Sequence, residues 1–171
     1  LETVCGIIDA GEDKLAIRMI NYISRFYRGV LSGGDTLVTI DQEVQITLRY
    51  LEIVKIRYRN SFEFDYNFPK EMIQAKTPKL ILQPIVENSF VHGFEGKPAE
   101  AQRMVVIGAR RQKGTLILRI RDNGHGIGRE QVNAMNQRFE EPYRADSLKY
   151  ETKKKGIGLE NINDRIHLFY N

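Results

Sequence analysis

The sequence predicts a mixed α/β protein: a two-layer α/β sandwich, with a mixed sheet and its helices on one face, preceded by a helical segment. Three observations support this. Apolar residues recur every three or four positions over residues 15–30 and again over 159–169, as on one face of a helix. Apolar residues alternate over 105–109 and 116–120, on either side of Lys113-Gly114, which predicts a β-hairpin. Helical and strand patterns therefore occupy separate stretches of the chain.

Composition limits the function. The chain has 171 residues, 42% of them hydrophobic, which is enough for one domain with a short appendage. The net charge of +4 comes from 26 basic and 22 acidic residues that are dispersed, apart from Lys153-Lys154-Lys155, so we expect no nucleic-acid partner. A single cysteine, Cys5, cannot form an intramolecular disulfide, and no apolar run approaches the ~18 residues of a membrane span.

The first two helices are predicted from periodicity. Apolar residues from Leu15 to Val30 indicate an amphipathic helix that ends before Gly33-Gly34. Residues 41–59 fit both an alternating and a helical pattern, and their length favours a helix. Thr39 with Gln42, or Asp41 alone, is expected to cap it. Plain helical packing accounts for these residues, so we assign them no chemistry.

The sheet is predicted to begin with Ser61 to Phe68, where aromatic and polar residues alternate until Pro69. The later hairpin places Asp122 at the end of its second strand. Residues 128–155 carry twelve charged residues and no sustained period, which predicts a long mobile loop with room for one helical turn. The final helix follows Gly156-Ile157-Gly158, and a glycine loop before a helix N-terminus has the geometry of an anion site.

The central stretch is Leu80 to Gly93. Pro78 is expected near the start of its helix and Gly93 at its end, so that Glu87, Asn88 and His92 lie on neighbouring turns. The helix has an apolar body, and a buried helix rarely carries a carboxylate beside a carboxamide without a use for them.

Each candidate group has a functional and a structural interpretation. Glu87 suits a general base and Asn88 an oxygen ligand to Mg²⁺, or the two form a satisfied polar patch. Asp122 can accept a hydrogen bond from an adenine amino group, or it begins a β-turn. The glycines at 156 and 158 can meet phosphate oxygens, or they form an ordinary turn. The three histidines are too scattered for a zinc site.

A family resemblance joins these pieces. Glu87-Asn88-x-x-x-His92-Gly93, Asp122-Asn123-Gly124-x-Gly126 and Gly156-x-Gly158-Leu159-x-Asn161-x-x-x-Arg165 resemble, in this order, the N, G1 and G2 boxes of the GHKL ATPases. More narrowly, the stretches 82–88 and 158–165 are similar to the LytS-like class of sensor histidine kinases, as are 49–53 and 56–58. The resemblance covers nearly the whole chain.

The resemblance implies roles for individual residues. Glu87 would be the base or orienting group, Asn88 would hold Mg²⁺, Asp122 would bind adenine, and residues 128–155 would be the ATP lid. The other residues implied to surround ATP are His92, Gly93, Asn123, Gly124, Gly126, Ile127, Lys155, Gly156, Ile157, Gly158 and Leu159.

The resemblance also implies a domain plan. Residues 1–34 would be the trailing part of a helical dimerisation and phosphoacceptor region, and residues 35–171 the ATP-binding catalytic domain. The acceptor histidine, in an Asn-Pro-His-Phe-type segment, would lie before Leu1, and two further strands would follow Asn171. A start without methionine leads us to expect a piece of a longer protein.

The expected function is ATP-dependent, Mg²⁺-assisted phosphorylation of a histidine, for relay to a response regulator. We expect a homodimer formed through the helical segment, and a cytoplasmic domain of a sensor anchored in the membrane only by regions outside this chain. Alternatives are another GHKL ATPase in which Glu87 activates water, a serine-kinase relative, and a non-catalytic nucleotide-sensing module.

Overall fold

The structure is a computed structural model whose residues form two compact units, 1–124 and 125–171. The residues it describes are 2–31, 34–59, 61–98, 100–141 and 157–170. In these ranges no helix combines the length and the apolar character that crossing a membrane requires.

Two helices open the first unit. Helix α1 spans Glu2–Asp9 and α2 spans Asp13–Leu31, which confirms the helix predicted over residues 15–30. Ala16 and Met19 of α2 are buried with Val4 of α1, and partly buried residues of the next helix pack against this small cluster. The N-terminal segment is therefore helical and has an apolar cluster of its own.

Helix α3, Ile40–Arg57, follows a short strand β1, Leu37–Thr39, and starts where the sequence predicted. The backbone N–H of Gln42 donates to Thr39 Oγ1 at 3.1 Å, and the backbone N–H of Thr39 donates to Gln42 Oε1 at 2.8 Å. This is the expected capping box, in which two otherwise unpaired N–H groups are satisfied reciprocally.

The main sheet has three strands: β2 (Phe62–Asn67), β4 (Arg103–Gln112) and β5 (Thr115–Asp122), in the order β2-β4-β5. Strand β2 is parallel to β4, and β4 is antiparallel to β5, so the sheet is mixed as predicted. Lys113 and Gly114 have φ values of 49° and 86° in the turn between β4 and β5. Positive φ at both central residues is the geometry of a tight two-residue hairpin.

The core lies between the sheet and helices on one of its faces. Leu51 and Val54 of α3 pack with Val105 and Ile107 of β4 and with Val86, a residue of the next helix. Because side chains alternate along a strand, Val105 and Ile107 share the face that these helices cover. The architecture is the two-layer α/β sandwich that the sequence predicted.

The predicted start of the central helix near Pro78 is wrong. Strand β3, Lys76–Pro78, instead pairs antiparallel with β1 in a second, two-stranded sheet. Helix α4 begins only at Leu82, runs to Asn88, and continues as a π-helical turn over Ser89–Gly93. Pairing with a strand some forty residues earlier in the chain prevails over the local preference of proline for the first turn of a helix.

The prediction of a loop with at most one helical turn after Gly128 is also wrong for its first half. Helix α5 spans Arg129–Glu140, about three turns, and none of its residues is buried. Such a polar helix has too few apolar positions for periodicity to reveal it. Residues 142–155 of the predicted lid lie outside the described residues. In the same unit, helix α6 (Ile157–Tyr170) confirms the predicted last helix, and Arg138 Nη1 pairs with Glu160 Oε1 at 2.7 Å.

The turn after β5 packs tightly on the end of the π-helical turn. A Cβ added at Gly124 would overlap the carbonyl oxygen of Gly93 and lie 2.8 Å from Asp122 Oδ1. A Cβ added at Gly93 would lie 3.2 Å from the same carboxylate oxygen. Only a residue without a side chain fits at position 124, because its neighbour there is the backbone of Gly93, which cannot change rotamer as a side chain can.

Gly124→Ala should therefore lower the free energy of unfolding by about 1–3 kcal/mol, the usual cost of forcing extra volume into a packed contact. Urea unfolding followed by circular dichroism measures it. The control is Gly6→Ala, since a Cβ there meets nothing within 4 Å and alanine suits the interior of α1. A Gly124→Ala protein as stable as the parent would contradict the packing described here.

Candidate nucleotide site

Glu87 and Asn88 form the last turn of α4, and both are half-buried. Gln83, one turn earlier, donates from Nε2 to Glu87 Oε2 at 2.8 Å and so orients the carboxylate. Glu87 Oε1 and the Asn88 carboxamide accept no hydrogen bond from the part of the chain that the structure describes. An acceptor oxygen on each of these neighbouring side chains is therefore available to a ligand.

Asp122 lies at the end of β5, as predicted, and is exposed. Its Oδ2 accepts a hydrogen bond from Ser89 Oγ at 2.8 Å, and its Oδ1 accepts one from the backbone N–H of Gly124 at 2.9 Å. A carboxylate has about four acceptor positions, so Asp122 can still accept from a donor outside the chain. The hydroxyl of Ser89 connects this carboxylate to the helix that carries Glu87 and Asn88.

Asn123 has structural partners. The backbone N–H of Met104 donates to Asn123 Oδ1 at 2.9 Å, and Asn123 Nδ2 donates to the carbonyl of Gln102 at 3.1 Å. Lys97 Nζ donates to the backbone carbonyl of Asn123 at 2.8 Å. The carboxamide thus extends the contact between β5 and the start of β4 and fixes the turn after Asp122, while its contact with ATP stays a prediction.

The π-helical turn carries His92 and Gly93, and His92 is exposed. The backbone N–H of Phe94 donates to the carbonyl of Ser89, five residues earlier, at 2.9 Å. Single π-helical turns within α-helices occur frequently at functional sites. This one begins directly after Asn88 and ends at Gly93, the glycine next to the Asp122 carboxylate.

The remaining predicted residues belong to the second unit. Gly126 has a φ of 76°, which favours glycine, and Ile127 is 53% exposed. Gly158 and Leu159 lie in the first turn of α6. Lys155, Gly156 and the side chain of Ile157 lie outside the described residues. Their roles toward ATP stay predictions.

Sequence reasoning missed three residues at this site: Gln83, Ser89 and Tyr50. Gln83 precedes Glu87 by four residues, a spacing that indicates a contact on a helix. Ser89 follows Asn88 directly, but nothing in the sequence shows which strand it faces. Burial, and then the nearby Glu87 carboxylate, raise the pKa of the Tyr50 phenol far above its usual value, so this group stays protonated beside Glu87.

Two family models match parts of the chain. A family model described as histidine kinase matches residues 1–62. A second, described as histidine kinase-, DNA gyrase B- and HSP90-like ATPase, matches residues 74–170, more than half of the chain.

Three curated relatives are similar over most of the chain. Sensor histidine kinase YesM of Bacillus subtilis is 28% identical over 99% of this chain and 26% of its own length. Sensor protein LytS of Staphylococcus epidermidis is 25% identical over 97% of this chain and 26% of its own. Sensor histidine kinase BtsS of Escherichia coli is 33% identical over 78% of this chain and 23% of its own.

The chain therefore spans about a quarter of the length of these relatives. The predicted resemblance to LytS-like sensor histidine kinases is confirmed, and ATP is the ligand that the family implies. The three boxes, the mixed sheet and the match over residues 74–170 lead to one conclusion: this chain belongs to the histidine kinase-, DNA gyrase B- and HSP90-like ATPases.

Proposed function

We propose that the chain is the ATP-binding catalytic part of a two-component sensor histidine kinase, which transfers the γ-phosphate of ATP to a histidine for relay to a response regulator. The observation that carries the proposal is the Ser89–Asp122 hydrogen bond of 2.8 Å. It joins the helix that carries Glu87 and Asn88 to a strand end with an exposed acceptor, Asp122. The match of residues 1–62 to histidine kinases favours a kinase over other ATPases of the family.

Within this proposal, Asp122 accepts the adenine amino group. The remaining predicted ATP-binding residues, from His92 to Leu159, keep the roles that the family implies. Asn88 suits Mg²⁺, a hard ion that takes oxygen ligands and binds phosphates with few protein groups. When bound, Mg²⁺ would neutralise charge on the triphosphate.

Glu87 acts on the phosphoacceptor. A ring nitrogen of the histidine forms a bond to the γ-phosphorus while the bond from that phosphorus to the bridging oxygen breaks, and ADP leaves with the electron pair. The imidazole then loses the proton of its other nitrogen, which Glu87 accepts. Gln83 holds Oε2 of Glu87, so that Oε1 is the oxygen that faces the acceptor's proton.

The domain plan supports a dimer. Residues 1–34 would complete the helical dimerisation region, and 35–171 the catalytic domain. Helix α2 exposes a second apolar row at coiled-coil spacing, on a face next to the residues that it buries; the row consists of Ile17 (60% exposed), Ile20 (50%), Tyr27 (56%) and Leu31 (78%). Positions three and four residues apart form a seam that a second copy of α2 can cover.

Membrane anchoring would come from other regions of the protein, with this domain in the cytoplasm.

The adenine contact is tested by Asp122→Ala. Loss of a hydrogen bond to a charged group, worth about 1.5–3 kcal/mol, should weaken binding of a non-hydrolysable Mg-ATP analogue at least about tenfold. Titration calorimetry on the 171-residue chain measures it, with melting curves to verify folding. Asp65→Ala, an exposed aspartate on β2, should leave the affinity unchanged. Equal affinity in Asp122→Ala and parent would refute the adenine contact.

Substitutions at two neighbouring residues distinguish a role in catalysis from a role in nucleotide binding. Glu87→Gln should keep the affinity for Mg-ATP within about twofold and slow phosphotransfer by at least about a hundredfold, the usual contribution of a general base. Asn88→Ala should instead weaken Mg-ATP binding itself. Transfer of labelled γ-phosphate to the acceptor histidine, in the longer protein that carries it, is the measurement. Undiminished transfer in Glu87→Gln would remove this residue from the mechanism.

The seam on α2 is tested by Ile20→Glu, which places charge in the predicted contact between two copies. The dissociation constant of the dimer should rise at least about tenfold, because a buried isoleucine contributes about 1.5–3 kcal/mol. Sedimentation equilibrium measures it. Ile8→Glu is the matched control, since Ile8 of α1 is 49% exposed but lies off the seam. The same dissociation constant for Ile20→Glu and Ile8→Glu would contradict the seam.

A further inference from the structure

A buried carboxylate caps the start of α4 from a distant part of the chain. Glu43 of α3 is 0% exposed. Its Oε1 accepts the backbone N–H of Leu80 at 2.6 Å, and its Oε2 accepts those of Ile81 and Leu82 at 2.7 and 3.0 Å. The N-cap residue of α4, Ile81, makes no side-chain cap of its own. Glu43 therefore satisfies the first N–H groups of a helix that begins almost forty residues later.

These bonds are costly to replace. A carboxylate without partners is strongly disfavoured in a protein interior, and three charge-assisted bonds at the positive end of a helix offset that cost. Glutamine has the same shape but only one acceptor oxygen. Its NH₂ group would face either the N–H of Leu80 or those of Ile81 and Leu82, and two donors that face each other form no hydrogen bond.

The backbone at this point is strained. Leu80 has a φ of 62°, in the left-handed region, which costs a residue with a side chain roughly 1–2 kcal/mol. Such strain persists only where surrounding contacts determine the conformation, and it concentrates at functional sites. The shortest of the three Glu43 bonds is the one to Leu80. Glu43 thus holds the bend that decides where α4 starts and which way it is rotated.

The catalytic turn is close to this bend. Helix α4 has seven residues, so Glu87 and Asn88 lie within about two turns of the residues that Glu43 binds. After Asn88 the hydrogen-bond pattern changes to the π-helical turn. We propose that Glu43 is a positioning residue that fixes the rotation of α4 and thereby aims Asn88 and Glu87 at the metal-bound phosphates. This inference rests on the proposed function, because it concerns how the same site is held.

Glu43→Gln tests it through the metal dependence of nucleotide binding. The affinity of the 171-residue chain for an ATP analogue is measured with Mg²⁺ and with EDTA, at a temperature where melting curves show the variant folded. In the variant, the glutamine NH₂ group faces a backbone N–H at the start of α4. The increase in nucleotide affinity that Mg²⁺ causes should therefore be about tenfold smaller, the equivalent of one lost hydrogen bond. Binding of the metal-free analogue should change less than about twofold, since Asp122 lies on β5. Glu43→Asp keeps the charge but is one methylene shorter, and it should recover part of the gain.

The matched control is Glu52→Gln, on the same helix, where the half-buried carboxylate pairs with Lys55 at 3.0 Å. Mg²⁺ should increase the nucleotide affinity of this variant as much as it does that of the parent. A folded Glu43→Gln protein with the parent's Mg²⁺ gain would overturn the positioning role. Loss of the fold in both Glu43 variants would also overturn it, because Glu43 would then serve stability alone. A parent chain that binds no nucleotide would refute the proposed function itself, an outcome distinct from the other two.

Discussion

The carbonyl of Gly93 lies where any side chain at residue 124 would have to be, and the candidate site depends on this close approach. It brings the end of the π-helical turn against the turn after β5, with the Asp122 carboxylate beside both glycines. The hydrogen bond from Ser89 to Asp122 joins the same two segments. These two glycines therefore serve packing within the chain.

Helix α3 and the residue after it form hydrogen bonds with both ends of the helical stretch that carries the site. Glu43 binds the start of α4, and Tyr58, directly after the end of α3, donates its hydroxyl to the carbonyl of Phe90 in the π-helical turn at 3.0 Å. The other side of α3 contacts α2, where the Phe26 and Tyr50 rings lie 6.1 Å apart. Tyr50 is also the phenol whose pKa the Glu87 carboxylate helps to raise. One helix thus contacts both the N-terminal segment and the helical stretch that carries the residues proposed for catalysis.

Whether the sequence predicted a feature depends on how far apart along the chain the residues that form it lie. The capping box of α3 and the turn at Lys113-Gly114 depend on residues two or three positions apart, so local chemistry predicted them. The start of α4 depends on β1 and on Glu43, both far away in sequence, and the local rule for Pro78 failed there. A buried glutamate in a helix resembles an exposed one in sequence, which is why Glu43 received no role. Glu87, Asn88 and Asp122 were found because their motif carries the chemistry itself.

The shortness of α4 makes these remote contacts decisive. A helix of seven residues is far below the length at which a helix is stable by itself, so neither its existence nor its rotation can come from its own sequence. Leu82 and Val86 bury one side of it, but apolar packing is non-directional and tolerates small rotations. Hydrogen bonds are directional, and those at Glu43 and Tyr58 hold the two ends of the helical stretch. The direction of the Glu87 carboxylate is therefore a property of α3 as much as of the motif that contains it.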